Sequence, residues 1–192
     1  MTGIGEVPVR WQRLFDDLEA QAEAYDAAEF EAEVSERIRY EVGQLRLIDR
    51  LRPVVGHQVE VSCRGAGRLS GRLDRVGADW LLLAEQADRH VMVAVAAVMA
   101  IGGLGAMSAV PGSEGKVGAR LDFRRAARGV ARDRSPVQMV LIDGSVVAGT
   151  LDRVGADFIE IAEHPPGEPR RAGTVHGVRT VPFTAVAVVR IW

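Results

Sequence analysis

The first fifty residues repeat their apolar side chains at the spacing of a helix. The stripe begins with Trp11, Leu14, Phe15, Leu18 and Tyr25. It continues with Val34, Ile38, Val42, Leu45, Ile48 and Leu51. Asp26 and Glu29 have the form of a capping box, where a second helix could begin or the first could kink. Because Pro53 and Gly56 would end the helix, we predict a helical N-terminal arm over residues 1–56.

From His57 onward the apolar period changes to two, which is typical of strands. Short alternating segments separated by turns predict five strands within residues 57–104. The longest apolar run, Val91–Val110, is interrupted by glycines and rich in β-branched residues. It therefore predicts a strand pair followed by a linker, rather than a membrane-spanning helix.

The strand pattern is written twice in the chain. "GRLDRVGADWLLLAE" at residues 71–85 returns as "GTLDRVGADFIEIAE" at residues 149–163, with ten of fifteen positions identical at an offset of 78. Beyond an insertion at Pro165–Thr174 the offset becomes 88, so that Val93 corresponds to Val181. We predict a first five-stranded unit at 57–104, a glycine-rich linker at 105–119, an arginine-rich helix at 120–134 and a second five-stranded unit at 135–192.

The shared turn carries specific expectations. Gly77 and Gly155 are expected to adopt positive φ, and Asp79 and Asp157 to hydrogen-bond the turn backbone. The two copies differ on one strand face, which bears Trp80 and Leu82 in the first copy but Phe158 and Glu160 in the second. The Trp80–Leu82 face is apolar enough to need a cover, either the N-terminal helix or a partner.

The helix-then-five-strand order resembles the Sm-like (SH3-like) fold. The matching text is "VEVSCRGAGRLSGRLDRVGADWLLLAE" with "VMVAVAAVMAI", and "VQMVLIDGSVVAGTLDRVGADFIEIAE" with "RTVPFTAVAVVRI". The chain also resembles an uncharacterised actinobacterial family with the same acidic helix and "DWLLL" strand. These resemblances imply an α+β protein with two tandem small β-barrels, each preceded by a helix, behind a long acidic arm.

The RNA site of Sm-like proteins is not implied by this resemblance. Asp79 and Asp157 could stand for the family's loop aspartate, but no asparagine follows either one. Ala96–Ala97 and Thr184–Ala185 occupy the places where an Arg-Gly pair would be expected. The resemblance therefore implies the fold without the family's uridine site.

Charge is distributed unevenly although the net charge is only −2. Nine acids and no base lie between Asp16 and Glu36, whereas residues 119–192 carry 8 acids and 11 bases. A lone cysteine, Cys63, excludes an internal disulfide and fits a reducing compartment. The N-terminus lacks a signal-peptide pattern, so a cytoplasmic location is expected.

Candidate chemistry is sparse. The four histidines and Cys63 show no metal-ligand spacing, and no nucleophile elbow, dinucleotide fingerprint or complete phosphate loop is present. Asp74, Asp79 and Glu85 recur in the second copy and could suggest paired carboxylates for a metal or for acid–base work, but a turn cap and exposed strand positions explain them equally well. We predict no enzyme activity, no cofactor, no metal and no small-molecule substrate.

Two binding functions remain open. The leading hypothesis is a non-enzymatic adaptor for a protein partner or a second copy, acting through Trp80 and Leu82, through Trp11 and Phe15 on the acidic arm, and through the arginine helix. The alternative is RNA or DNA binding, which needs cations along the phosphate backbone. Its candidate residues are Arg124, Arg125, Arg128 and Arg132, with Arg170 and Arg171 in the inserted loop. The arginines could also face the acidic helix, within or between chains, or only solvent.

Overall fold

The computed structural model describes residues 9–86, 89–113, 120–166, 173 and 175–192. It is an α+β protein with a long N-terminal helix and a large antiparallel sheet. The chain divides into two compact units. The first ends at Leu45, and the second begins at Arg46. None of the helices in the described ranges has both the length and the apolar composition needed to cross a bilayer.

The described part of the first unit is built on one continuous helix, α1, at Val9–Gln44. It runs through Asp26 without a break, so the capping-box pattern there does not start a new helix. A helix rotates by about 100° per residue, which places Val34 roughly 160° away from Leu18. The second apolar set therefore lies on nearly the opposite side from the first, and it does not continue the same stripe. Within the helical arm expected at 1–56, residues from Arg46 onward belong to the other unit.

The second unit begins with the short helix α2 at Leu47–Leu51 and a 3₁₀ turn at Arg52–Val54. The first five strands are β1 (Gln58–Cys63), β2 (Gly67–Val76), β3 (Trp80–Gln86), β4 (Arg89–Ala94) and β5 (Val98–Gly102). The arginine-rich helix, α3, spans Phe123–Asp133. The last five strands are β6 (Pro136–Leu141), β7 (Val146–Val154), β8 (Phe158–Glu163), β9 (Gly177–Pro182) and β10 (Val186–Ile191).

All ten strands form one antiparallel sheet in the order β5-β1-β2-β3-β4-β10-β6-β7-β8-β9. Two separate five-stranded barrels were expected, but the sheet is open, and β4 of the first half pairs with β10 of the second. This pairing places Val93 opposite Val188 and Met92 opposite Val189. Because these side chains are apolar, joining the two halves removes them from water.

The two halves repeat each other in backbone detail. In each half the last strand pairs back onto the first, at Cys63↔Val98 and Leu141↔Val186. The pairing of the second strand with the third shifts register at the same place, after Leu73 and after Leu151. A 3₁₀ turn precedes the last strand in both, at Val95–Ala97 and at Phe183–Ala185. The duplication predicted from the sequence is thus visible in the folded chain.

The core of the second unit follows the period-two pattern. Leu73, Leu81 and Leu83 are fully buried in the first half, as are Ile159 and Ile161 in the second. The described part of the linker is also held in place. The Arg50 guanidinium donates to the carbonyl oxygens of Ala106 and Met107, at 2.8 and 2.7 Å.

Candidate binding groove beside the arginine-rich helix

Helix α3 is anchored at its N-terminus by two aspartates. The Asp122 side chain accepts a hydrogen bond from the Arg125 backbone N–H at 2.8 Å, as an N-cap residue does. Asp79, from the turn between β2 and β3, accepts another from the Phe123 N–H at 2.6 Å. Asp79 was expected to bind its own turn, but its carboxylate instead attaches α3 to the first half of the sheet.

Trp80 lies beneath the segment that leads into α3. Its side chain is only 5% exposed, and the indole Nε1–H donates to the Leu121 carbonyl oxygen at 2.8 Å. The N-terminal helix or a partner was expected to cover Trp80, but the segment at Leu121 covers this side chain. A buried indole N–H needs an acceptor, and the Leu121 carbonyl oxygen is that acceptor.

Glycine is required at the two turns for a different reason from the one predicted. Neither Gly77 nor Gly155 is among the described glycines with positive φ. A Cβ atom at Gly77 would instead collide with the Trp80 indole, and one at Gly155 would collide with the Phe158 ring. Each glycine is needed because an aromatic ring packs directly on the backbone.

Helix α3 contacts both halves of the sheet. It buries Phe123 and Ala127, one turn apart, and packs against β7. The Phe123 ring meets the Phe183 ring edge to face, with centroids 5.9 Å apart. These contacts fix α3 across the junction between the two repeats.

An open groove of about 630 Å³ lies between α3 and the sheet. Its apolar lining consists of buried or half-buried side chains, and these include Trp80, Leu82, Met92, Val130 and Ile191. Its charged lining consists of Arg72, Asp74, Arg75, Arg125 and Asp133. The volume is in the range of ordinary ligand sites, and the mixed lining suits an amphipathic ligand.

Two arginines of the groove lack a carboxylate. Asp74 is occupied by Arg72 Nη2 at 3.0 Å and by His90 Nε2 at 3.4 Å. Among the described residues, Arg75 and Arg125 form no ion pair, and both are exposed. Their charges are therefore open to a ligand.

The second repeat contains the carboxylate partner that Arg75 lacks in the first. Arg75 corresponds to Arg153, and its cross-strand neighbour Leu82 corresponds to Glu160. In the second repeat, Arg153 Nε lies 2.8 Å from Glu160 Oε2. The first repeat keeps the arginine but has leucine where the carboxylate would be.

The other predicted residues are distributed around this site. Arg125 lines the groove, whereas Arg128 and Arg132 are exposed elsewhere on α3. Arg124 is half-buried, 3.9 Å from Asp122. Arg170 and Arg171 lie outside the described residues. Trp11 and Phe15 are 53% and 55% exposed on α1, in the other unit.

Sequence reasoning identified Leu82 and Arg125 but missed Arg72, Arg75, Met92 and Ile191. The repeat alignment shows that the first copy has Leu82 where the second has Glu160. It does not show that Arg75 thereby loses a carboxylate partner, because this depends on which residues face each other across β2 and β3.

Three side chains with reactive or titratable atoms, Cys63, Thr150 and His164, are buried. Within the described ranges, no three histidine, cysteine or acidic residues are grouped as metal ligands would be. Burial raises the pKa of the Cys63 thiol to about 11, which keeps it neutral. Thr150 Oγ1 lies 2.7 Å from His164 Nε2, but both side chains are inside the core.

No protein-family profile, curated protein or solved structure matches this chain.

Proposed function

We propose that the protein is a non-enzymatic binding module whose groove receives an acidic protein segment with an apolar anchor. The observation that carries this proposal is the unmatched pair Arg75–Leu82, beside the matched pair Arg153–Glu160 in the other repeat. A partner carboxylate at Arg75 would take the place that Glu160 fills internally.

The carboxylate and the apolar side chain of such a ligand would each make binding to this groove more favourable. A hydrogen bond to a charged group contributes about 1.5–3 kcal/mol. An apolar side chain of leucine size, buried against Leu82 and Ile191, contributes about 1.5–3 kcal/mol. Arg125, on the α3 side, offers a second cation, so two acidic residues around one apolar residue form the complementary pattern.

A protein ligand suits this groove better than a nucleic acid does. Its apolar lining, which includes Leu82, Met92 and Ile191, can hold an apolar side chain, and a phosphate backbone has no such group to offer. Elsewhere on α3, Arg124 and Arg132 lie near Asp122 and Asp133, at 3.9 and 4.0 Å. The nucleic-acid alternative, through the arginines of α3 that include Arg124 and Arg128, is an outcome of the test below.

The test uses a fluorescent peptide with a central leucine flanked by glutamates, followed by anisotropy. We expect Leu82→Glu to weaken binding about tenfold or more, because the new carboxylate pairs with Arg75 and removes apolar lining. Glu160→Leu is the matched control, since it makes the reverse change at the equivalent position, and its affinity should stay within about twofold. A peptide with glutamines in place of the glutamates should bind neither the parent protein nor the Glu160→Leu variant.

Equal affinities of Leu82→Glu and Glu160→Leu for the peptide would refute the proposed site, as would no binding to the parent protein. If RNA or DNA binds instead, and Arg124→Ala with Arg128→Ala lowers the salt dependence while Leu82→Glu does not, the nucleic-acid alternative replaces it.

Three further points belong to this proposal. We interpret each five-strand half as a unit of Sm-like type, from the order of its strands and the return of its last strand onto the first. We place the protein in the cytoplasm because its one cysteine is a buried free thiol. The likeness to an uncharacterised actinobacterial family is part of the same interpretation.

A further inference from the structure

The sheet ends in two strands that have a neighbour on one side only. β5 pairs with β1, and β9 pairs with β8, and neither has another partner among the described strands. Such edges expose backbone N–H and C=O groups that can add a further strand.

The repeat identifies these edges with strands that are already paired inside the chain. At the offset of 88, β9 corresponds to β4 and β5 corresponds to β10. β4 and β10 form the junction between the two halves, with Met92 opposite Val189 and Val91 opposite Arg190. The free edges are therefore the two halves of a junction that the chain makes once internally.

The junction strands β4 and β10 differ in burial from the edge strands β9 and β5. Val91–Ala94 in β4 and Val186–Val189 in β10 are buried at their junction. In the outer strands, Val178–Thr180 of β9 and Met99–Ala100 of β5 are exposed. The outer edges expose apolar residues at these positions, with Val178 57% and Met99 65% exposed.

We propose that copies of this chain associate head to tail, with β9 of one copy pairing antiparallel to β5 of the next. Transferring the inner register by 88 places Ile101 opposite Thr180, Ala100 opposite Val181 and Gly102 opposite Arg179. Each added copy leaves one free β5 and one free β9, so association continues until a ring closes.

The residues at the edges accommodate this register. Pro182 lacks an N–H, but it corresponds to Ala94, which does not pair with β10. Arg179, held by Glu163 at 2.9 Å, would face Gly102, which has no side chain to obstruct it. An arginine also stands in the inner junction, where Arg190 faces Val91.

Sedimentation of the full chain over a range of concentrations tests the association. We expect association to depend on concentration. Val178→Lys on β9 should raise the Kd of association about fivefold, since Val178 would lie opposite Gly103 in the paired strands and lysine places a charge at this edge. Val146→Lys is the matched control, because Val146 is similarly exposed, at 53%, on a strand paired on both sides. Its Kd should be unchanged.

Cross-linking tests the register without relying on a weakened variant. Ile101→Cys and Thr180→Cys proteins, mixed under oxidising conditions, should form a disulfide between copies, because facing residues of paired strands lie within bonding reach. Met99→Cys mixed with Thr180→Cys is the control outside the register. Cys63 is buried and does not compete.

A chain that stays monomeric at every concentration would overturn the proposal. So would association that Val178→Lys leaves unchanged while the 101–180 and 99–180 disulfides form equally, since the copies would then meet through another surface, such as the exposed apolar side chains of α1.

Discussion

Trp80 donates its indole N–H to the carbonyl oxygen of Leu121 at 2.8 Å, which joins the first repeat to the segment entering α3. The equivalent residue in the second repeat is Phe158, which has no such donor. The substitution Trp80→Phe therefore removes this bond while keeping an aromatic ring. We expect it to lower the free energy of unfolding by about 1–2 kcal/mol in urea denaturation.

Trp11→Phe serves as the control for this prediction, because Trp11 is exposed on α1 and the change should stay within about 0.5 kcal/mol. A Trp80→Phe protein as stable as the parent would mean that the indole bond does not hold the Leu121 segment in place.

The turn glycine offers a test of aromatic packing. Gly77→Ala should destabilise the protein by about 1–3 kcal/mol, since the new Cβ overlaps the Trp80 indole. Gly129→Ala in α3 meets nothing within 4 Å and should stabilise the helix by about 0.5–1 kcal/mol. Thermal unfolding of the two variants should therefore shift in opposite directions. Shifts in the same direction would contradict the packing explanation.

Asp49 makes stability depend on pH. Burial raises the pKa of its carboxyl, but hydrogen bonds from Arg46 and the charges of Arg46 and Arg52 outweigh burial, so the pKa lies below the ordinary value of 3.8. A carboxyl with a lowered folded pKa stabilises the fold above the unfolded pKa, and this contribution is lost as the pH falls through the folded value.

We therefore expect Asp49→Asn to cost about 2–3 kcal/mol near neutral pH, and the difference from the parent to shrink as the pH falls below 3.8. The measurement is urea unfolding of both proteins from neutral to acidic pH. A difference that stays constant over this range would show that the charge of Asp49 is not responsible.

The buried pair Thr150 and His164 is a further stability determinant. His164 Nδ1 lies 3.1 Å from the Pro165 carbonyl oxygen, so this nitrogen carries the proton and Nε2 accepts from the Thr150 hydroxyl. Thr150→Val should cost about 1–3 kcal/mol, because Nε2 is then buried without a partner. The same change at the exposed Thr180 should cost far less when both are measured by denaturant unfolding.

Much of the fold can be predicted from the local pattern of apolar and polar residues. The alternation around Leu73 and Leu83, repeated at Leu151 and Ile161, predicts strands with one buried face, and the structure buries all four side chains. The α1 helix and the duplication are readable for the same reason, since each depends on residues near one another in the chain or on two copies of one text.

The candidate site was only partly readable. Leu82 and Arg125 were identified, but their position in one groove depends on α3 crossing the repeat junction. The N-terminal helix or a partner was expected to cover Trp80, but the Leu121 segment does so. The sequence shows that the indole is apolar, but it does not show which part of the chain covers it.

The amino-acid order by itself determined the helical arm, the two sets of five strands and the arginine-rich helix between them, because helix and strand periodicities are set by neighbouring residues. Only the tertiary structure decided that Val93 meets Val188, which merges the two halves into one sheet, and that Arg75 faces a leucine instead of a carboxylate. Both depend on pairing between strands, and the free energy of that pairing comes from surfaces that meet only when the chain is folded.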